Sequence, residues 1–178
     1  MMNDDIKEIL VTKEEIEKRS EELGKQISED YKDKNLILLS LLKGSVPFMA
    51  ELMKYIDIYC ETEYMQVSSY AGTKSTEIKI VKDVDRSVEG CDVLIVEDIV
   101  DTGKTTKTVK DLLYAKGANS VKVATLLNKK EGRKVEIEPE YSAFDIPDKF
   151  VIGFGLDFNQ KFRNLPFVGV LKEECYKE

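Results

Sequence analysis

The amino-acid sequence predicts an α/β fold with a central, mostly parallel sheet, and two observations carry that expectation. Residues 35–42 (NLILLSLL) form a nearly continuous apolar run of strand length, which suits a strand buried on both faces of a parallel sheet. Further on, residues 93–96 (VLIV) read as a β-branched strand. Residues 106–116 read as a helix with Val109, Leu112 and Leu113 on one face, and residues 121–127 as a second strand. Strand, helix, strand in this order is a right-handed crossover between parallel neighbours. No repeat, low-complexity tract or linker divides the 178 residues, so one domain over 1–178 is expected.

The other elements follow in chain order. Thr12-Lys13-Glu14-Glu15 is a capping-box pattern, and Ile16, Leu23 and Ile27 supply the apolar stripe of a helix reaching to about Asp33. Lys43-Gly44-Ser45 breaks the first strand, and Pro47 stands where a short helix with Phe48, Leu52 and Tyr55 on its apolar face starts. Residues 56–67 alternate loosely as a strand, residues 68–76 have a loop composition, and a hydrophilic strand pair is expected over 77–81. Residues 97–105 read as a turn, Gly117 closes the helix of the crossover, and shorter strands and loops punctuated by Pro139, Pro147 and Pro166 complete the chain.

Composition narrows the chemistry. The formal net charge of −7 disfavours an electrostatic grip on nucleic acid or anionic lipid, although a nest of backbone amides still accommodates a small anion. The three cysteines include no CxxC pair and support neither a zinc ribbon nor a disulfide framework. Histidine is absent, which excludes Ser-His-Asp and Cys-His catalysis and HExxH zinc sites. The acidic N-terminus has no apolar signal region and no apolar stretch approaches membrane-spanning length, so a cytoplasmic location is expected.

The segment with the most chemistry is VEDIVDTGKTT, residues 96–106, at the carboxyl end of a strand. Open α/β sheets bind ligands at that end. Asp101, Thr102, Gly103, Lys104, Thr105 and Thr106 offer successive amides and hydroxyls at a helix N-terminus, which makes a phosphate cradle. Glu97 and Asp98 precede it as two carboxylates suited to sugar hydroxyls or a magnesium ion. A Walker A loop needs glycine five residues before its Gly-Lys, and Asp98 stands there instead. An acidic turn before a capped helix is the bland alternative.

VLIVEDIVDTGKT resembles the phosphoribosyl pyrophosphate signature of the type I phosphoribosyltransferases, and of their hypoxanthine-guanine members in particular. The resemblance extends to LLKGS (41–45), SSY (68–70), the lysine after LLN (Lys129) and DIPDKFVIGFGLDFNQKFRNLP (145–166). It implies the type I fold, with a small hood formed by the N- and C-terminal segments over the sheet. It also implies a purine-salvage enzyme that uses phosphoribosyl pyrophosphate, a 6-oxopurine base and Mg2+, and assembles as a dimer or tetramer.

Site roles implied by the resemblance follow. The loop from Asp101 to Thr106 would hold the 5′-phosphate. Glu97 and Asp98 would face the ribose hydroxyls, directly or through magnesium. Asp101 would manage the proton on purine N7, and Lys129 would meet the purine O6. Lys43-Gly44 would form a pyrophosphate loop with a non-proline cis peptide, assisted by Arg163. Asp157 would bind a second magnesium and border the purine, Phe150 would stack on the base, and Val151 would offer it backbone groups. Ser68, Ser69 and Tyr70 would begin a flexible lid. Taken singly, Lys43-Gly44 also fits a plain turn, Arg163 a surface arginine, Lys129 a solvated lysine, and Phe150-Val151 two core residues. Ala71 stands where bacterial relatives often have glycine. Some proteins of this fold regulate genes by binding RNA, a reading that the acidic charge disfavours. Lys129 argues for a 6-oxo group without choosing between hypoxanthine, guanine and xanthine.

Overall fold

The computed structural model describes residues 2–69 and 78–176. After a short 3-10 turn the elements are β1 (Ile6–Val11), α1 (Lys13–Asp30), β2 (Leu36–Leu42), α2 (Val46–Leu52), β3 (Cys60–Ser69), β4 (Ile78–Lys82) and β5 (Asp92–Val100). They continue with α3 (Lys104–Ala115), β6 (Ser120–Asn128), β7 (Tyr141–Asp145), β8 (Val151–Ile152) and β9 (Val168–Leu171). Among the described residues the main sheet has the order β4-β3-β2-β5-β6-β7. Every neighbouring pair from β3 to β7 is parallel, and only β4 runs antiparallel, against β3.

The apolar runs explain this sheet. Successive strand residues face opposite sides, so β2 splits its side chains between two cores. Leu36 and Leu38 join Ile16, Leu23 and Ile27 of α1 and Phe48 and Leu52 of α2. Ile37, Leu39 and Leu41 join Val109 and Leu113 of α3 on the other face. Each such side chain contributes about 1.5–3 kcal/mol on burial, which outweighs the polar Ser40 within the run.

Both ends of the long helices behave as their sequences ask. Thr12 accepts from Glu15 N at 3.2 Å while its own N–H donates to the Glu15 carboxylate at 2.8 Å, completing the capping box. At the end of α3, Gly117 has φ +88° and donates to Tyr114 O, while Ala118 donates to Leu113 O. That pair of bonds is a Schellman motif, and it returns the chain into β6. The first helix stops at Asp30, three residues short of expectation, with Tyr31 as its cap.

Four sequence expectations need correction. β5 does not end at Val96: its pairing with β6 continues through Glu97↔Thr125 to Val100↔Asn128, so Glu97 and Asp98 are strand residues and not turn residues. The ladder to a central neighbour overrides the polar local composition. The helix after it starts at Lys104 rather than Thr106. Ser68 and Ser69 likewise extend β3, paired with Lys79 and Ile78, rather than opening a loop. The hydrophilic strand pair is a single described strand, β4. Tyr70, the third lid residue, and Ala71 lie outside the described residues.

The hood is a small second sheet in the order β1-β9-β8. β1 and β9 pair antiparallel from Ile6↔Leu171 to Val11↔Val168. Val11, Val151, Leu156, Val168 and Val170 belong to the same buried cluster as α1 and α2, which fixes the hood against the main sheet.

Candidate active site

The functional candidates gather at the carboxyl ends of β2, β5 and β6, the expected end of the sheet. A cavity of about 230 Å3 is lined by Glu97, Asp98, Ile99, Asp101, Thr102, Gly103, Thr105 and Thr106. A larger open cavity of about 630 Å3, between Tyr31 and Tyr59, lies at the opposite, amino end of β2 and β3 and holds none of these groups.

The cradle follows from the way β5 gives way to α3. Gly103 is the N-cap, at φ +76°, and has no side chain to cap the helix; among the described residues the one side-chain bond to an amide at this end is a long one of 3.4 Å, from Lys104 N to Thr102 Oγ1. No acidic residue occupies the first turn, where Lys104 and Lys107 stand. The N-terminal amides and the positive end of the helix dipole therefore face a site suited to an anion.

Glu97 and Asp98 are consecutive on a strand, so they leave it on opposite sides. Glu97 accepts the Thr106 hydroxyl at 3.4 Å, on the α3 side. Asp98 reaches the loop before α2, where a Cβ added to Gly44 would fall 1.7 Å from its Oδ2. Only glycine permits that approach. Burial drives the Glu97 carboxyl well above its ordinary range, with the Asp98 charge adding to the effect. Burial likewise pushes Asp98 up to about 6, against the opposing hydrogen bond from Ile99 N and the charge of Arg163. A buried and an adjacent half-buried carboxylate with so little compensation suit a ligand that brings hydroxyls or positive charge.

A contiguous set links Asp98 to the hood. The Leu42–Lys43 peptide bond is cis and non-proline, on the N-terminal side of Lys43. Gly44 O lies beside Gly155, and Gly155 O accepts from Arg163 Nη1 at 2.7 Å. Arg163 Nη2 pairs with Asp157 at 2.7 Å. The pyrophosphate-loop candidates, Lys43 and Gly44, thus stand next to Asp98, Asp157 and Arg163.

The base-side candidates form a second group. Lys129 Nζ lies 2.9 Å from both Asp101 Oδ2 and Asp148 Oδ1, with its side chain only 12 % exposed. It is not a solvated lysine. Burial works to lower its pKa, but the bonds to Asp148 and Asp101 together outweigh burial and raise it. Phe150 is 39 % exposed. Tyr176 stacks on its ring at 4.9 Å, and Phe158 meets it edge-on at 5.7 Å. Val151 is buried in β8, in register with Val170.

Asp148 and Tyr176 were not singled out from sequence. Asp148 stood within a recognised motif without a task, and a tyrosine two residues before the end of the sequence carries no periodic signal. Long-range packing alone assigns them.

The family model described as the phosphoribosyl transferase domain matches residues 7–159. A hypoxanthine-guanine phosphoribosyltransferase from Streptococcus agalactiae is 53 % identical, with all of both chains covered, and one from Streptococcus thermophilus is 52 % identical with the same coverage. The structure of a Staphylococcus aureus hypoxanthine phosphoribosyltransferase superposes with a TM-score of 0.97 at 45 % identity, covering 99 % of this chain and 97 % of that one. The Trypanosoma cruzi enzyme in complex with its product IMP gives 0.93 at 38 % identity, covering 97 % and 98 %. With residues 101–106 at the start of α3, two adjacent acids at the end of β5 and the doubly paired Lys129 arranged on this sheet, the chain belongs to the phosphoribosyltransferase family, in its hypoxanthine-guanine branch.

Proposed function

We propose that the chain transfers the 5-phosphoribosyl group of phosphoribosyl pyrophosphate to N9 of hypoxanthine, and of guanine, giving IMP or GMP and pyrophosphate. One observation carries the reading: the cradle at the start of α3, the Glu97–Asp98 pair and Lys129 border one another at the end of β5 and β6.

Each role follows from what a group offers. The amides and hydroxyls from Asp101 to Thr106, including Thr102, Gly103, Lys104 and Thr105, receive the 5′-phosphate. Glu97 and Asp98 accept hydrogen bonds from the ribose hydroxyls, which compensates their burial. The Lys43-Gly44 backbone and Arg163 receive pyrophosphate, and Arg163 exchanges part of its bond to Asp157 for phosphate oxygens. Phe150 supplies a stacking surface and Val151 a backbone edge for the base. Lys129 donates to O6, where negative charge builds as N7 loses its proton.

The displacement is in line at C1′. The N9–C1′ bond forms as the C1′–oxygen bond to pyrophosphate breaks, pyrophosphate leaves with the electron pair, and the N7 proton passes to Asp101. The configuration inverts. For Asp101 to act it must release Lys129, and Asp148 remains to hold that lysine. Mg2+ bound by Glu97, Asp98 or Asp157 together with substrate oxygens would neutralise charge on the departing pyrophosphate. Asp98, half-buried beside Gly44 and with its ionised form penalised by burial, would suit such a cation completed by substrate oxygens.

The same reading takes residues 1–178 as one domain, places the protein in the cytoplasm and expects a dimer or tetramer. No described helix is long and apolar enough to cross a membrane. The net charge of −7 gives no support to RNA binding.

Purified protein with phosphoribosyl pyrophosphate and Mg2+, offered hypoxanthine, guanine, xanthine, adenine and uracil separately, tests the proposal by absorbance. Magnesium-dependent turnover of hypoxanthine or guanine is expected. Folded protein that turns over neither would overturn it.

A further inference from the structure

The phosphate cradle is held from behind by a segment in which sequence reading found no role. Arg133 follows the 3-10 turn after β6 (Lys130–Gly132) and its side chain is 11 % exposed. Its Nε donates to Asp101 O at 3.0 Å, and its Nη2 donates to Val100 O at 3.3 Å and to Asn128 Oδ1 at 2.6 Å. Nη1 donates to Ile137 O and lies 3.5 Å from Glu138 Oε1. The neighbouring backbone adds two bonds of 3.0 Å, Lys129 N to Val100 O and Lys134 N to Thr102 O. Three successive carbonyls, those of Val100, Asp101 and Thr102, are thus tied to residues 129–134.

The consequence is geometric. In a planar trans peptide the carbonyl and the following N–H point in opposite directions. Anchoring the carbonyls of Val100, Asp101 and Thr102 on the Arg133 side turns the N–H groups of Asp101, Thr102 and Gly103 the other way. The cavity of about 230 Å3 lies along those residues. The arginine stem also presses on the N-cap, since a Cβ at Gly103 would fall 2.9 Å from Arg133 Cδ and 2.5 Å from the Ile137 side chain. Arg133 therefore sets the peptide-plane orientation of the loop without lining the cavity.

We propose that Arg133 is a positioning residue for the 5′-phosphate of phosphoribosyl pyrophosphate: it aims the amides of Asp101 and Thr102 at the phosphate, while Lys129 is held by its own bonds to Asp101 and Asp148. The inference rests on the activity proposed above. Lysine keeps the charge but lacks the planar fork that reaches several acceptors at once. Methionine keeps much of the volume and removes every donor.

The test compares wild-type protein with Arg133→Lys and Arg133→Met. Steady-state kinetics vary each substrate in turn, and calorimetry measures binding of Mg2+–phosphoribosyl pyrophosphate. Loss of hydrogen bonds from a charged donor predicts a KM and Kd for phosphoribosyl pyrophosphate raised about tenfold or more in Arg133→Met and less in Arg133→Lys. The KM for hypoxanthine should stay within about twofold of wild type, a split that mere loosening of the fold would not produce. Folded variants with unchanged phosphoribosyl pyrophosphate constants, or with both substrate constants raised alike, overturn the inference. If Arg133→Met does not fold, Arg133→Lys decides by the same split. Wild-type protein that binds phosphoribosyl pyrophosphate but turns over no base breaks the activity reading alone, and calorimetry then still judges Arg133. Wild-type protein that does not bind it breaks both.

Discussion

The two acidic groups of the site solve opposite electrostatic problems. Glu97 is buried and Asp98 half-buried on opposite sides of β5, and burial lifts both carboxyls above their ordinary range. Asp101 and Asp148 lie in the more open half and share a resident cation, Lys129. The first group is complete only when a ligand supplies hydroxyls or positive charge. The second is already complete, and a ligand must compete with its internal ion pairs. In the proposed roles, affinity for the sugar and chemistry on the base are separable, and substitutions should separate them.

The largest effect is expected at the uncompensated pair. Asp98→Asn should reduce kcat/KM for phosphoribosyl pyrophosphate by a factor on the order of 10²–10³, as for loss of a preorganised polar group in a water-poor site. The same change removes a buried charge, so thermal stability at pH 8 without ligand should rise. Lys129→Gln should do the reverse. It should lower kcat/KM for hypoxanthine by a factor on the order of 10² while leaving the KM for phosphoribosyl pyrophosphate close to wild type, and it should strand Asp101 and Asp148 without gaining stability. Kinetics with each substrate varied, together with melting curves, check both arms. A stability loss in Asp98→Asn at pH 8 would break the comparison.

Protonation sharpens it further. Asp98 has an ordinary value of 3.8 and is held at about 6 in the fold. A folded acid with a raised pKa binds its proton more tightly than the unfolded chain does. Its ionisation therefore costs stability, and that cost appears as pH rises from about 4 to about 6 and is fully present above. Ligand-free protein should gain roughly 1–3 kcal/mol from this group as pH falls through that window. In the proposed roles an ionised Asp98 accepts from a ribose hydroxyl, so the KM for phosphoribosyl pyrophosphate should climb as pH drops below about 6. A pH series on wild type and Asp98→Asn, read by both melting and kinetics, should show the two slopes in the former and flatten them in the latter.

The contrast also marks what local sequence encodes. The buried strands, the capping box and the Gly117 helix end were legible because each rests on residues adjacent in sequence or on a short period. The place of residues 101–106 at a helix start was legible because glycine and hydroxyls stand next to one another there. The boundaries at Glu97–Asp98 and Ser68–Ser69 were not, because their strand state comes from partners on β6 and β4 rather than from composition. Lys129 alone looked like any surface lysine. Its buried, doubly paired state depends on Asp148, 19 positions away, brought there by the turn after β7. Arg133 was silent for the same reason: its acceptors are backbone carbonyls, which no side-chain pattern announces.

The smallest effect is expected at the edge of the base-side group. Tyr176 stacks on Phe150 at 4.9 Å with 22° between the ring planes, while Phe158 braces the same ring edge-on. An offset stack contributes about 0.5–1.5 kcal/mol beyond buried area. Phe150 is partly exposed, so this support restricts the ring more than deep packing does. A base that stacks on Phe150 must use ring surface that Tyr176 leaves uncovered. Tyr176→Leu keeps an apolar contact but removes the stack. The KM for hypoxanthine should then rise by about two- to tenfold, the factor that energy range implies, with kcat and the phosphoribosyl pyrophosphate KM unchanged. Tyr176→Phe should restore the wild-type value, because the ring and not the hydroxyl makes the contact. A lowered hypoxanthine KM in Tyr176→Leu would instead mean that Tyr176 occupies the face the base needs, and the tyrosine would then be a competitor of the substrate rather than a support for it.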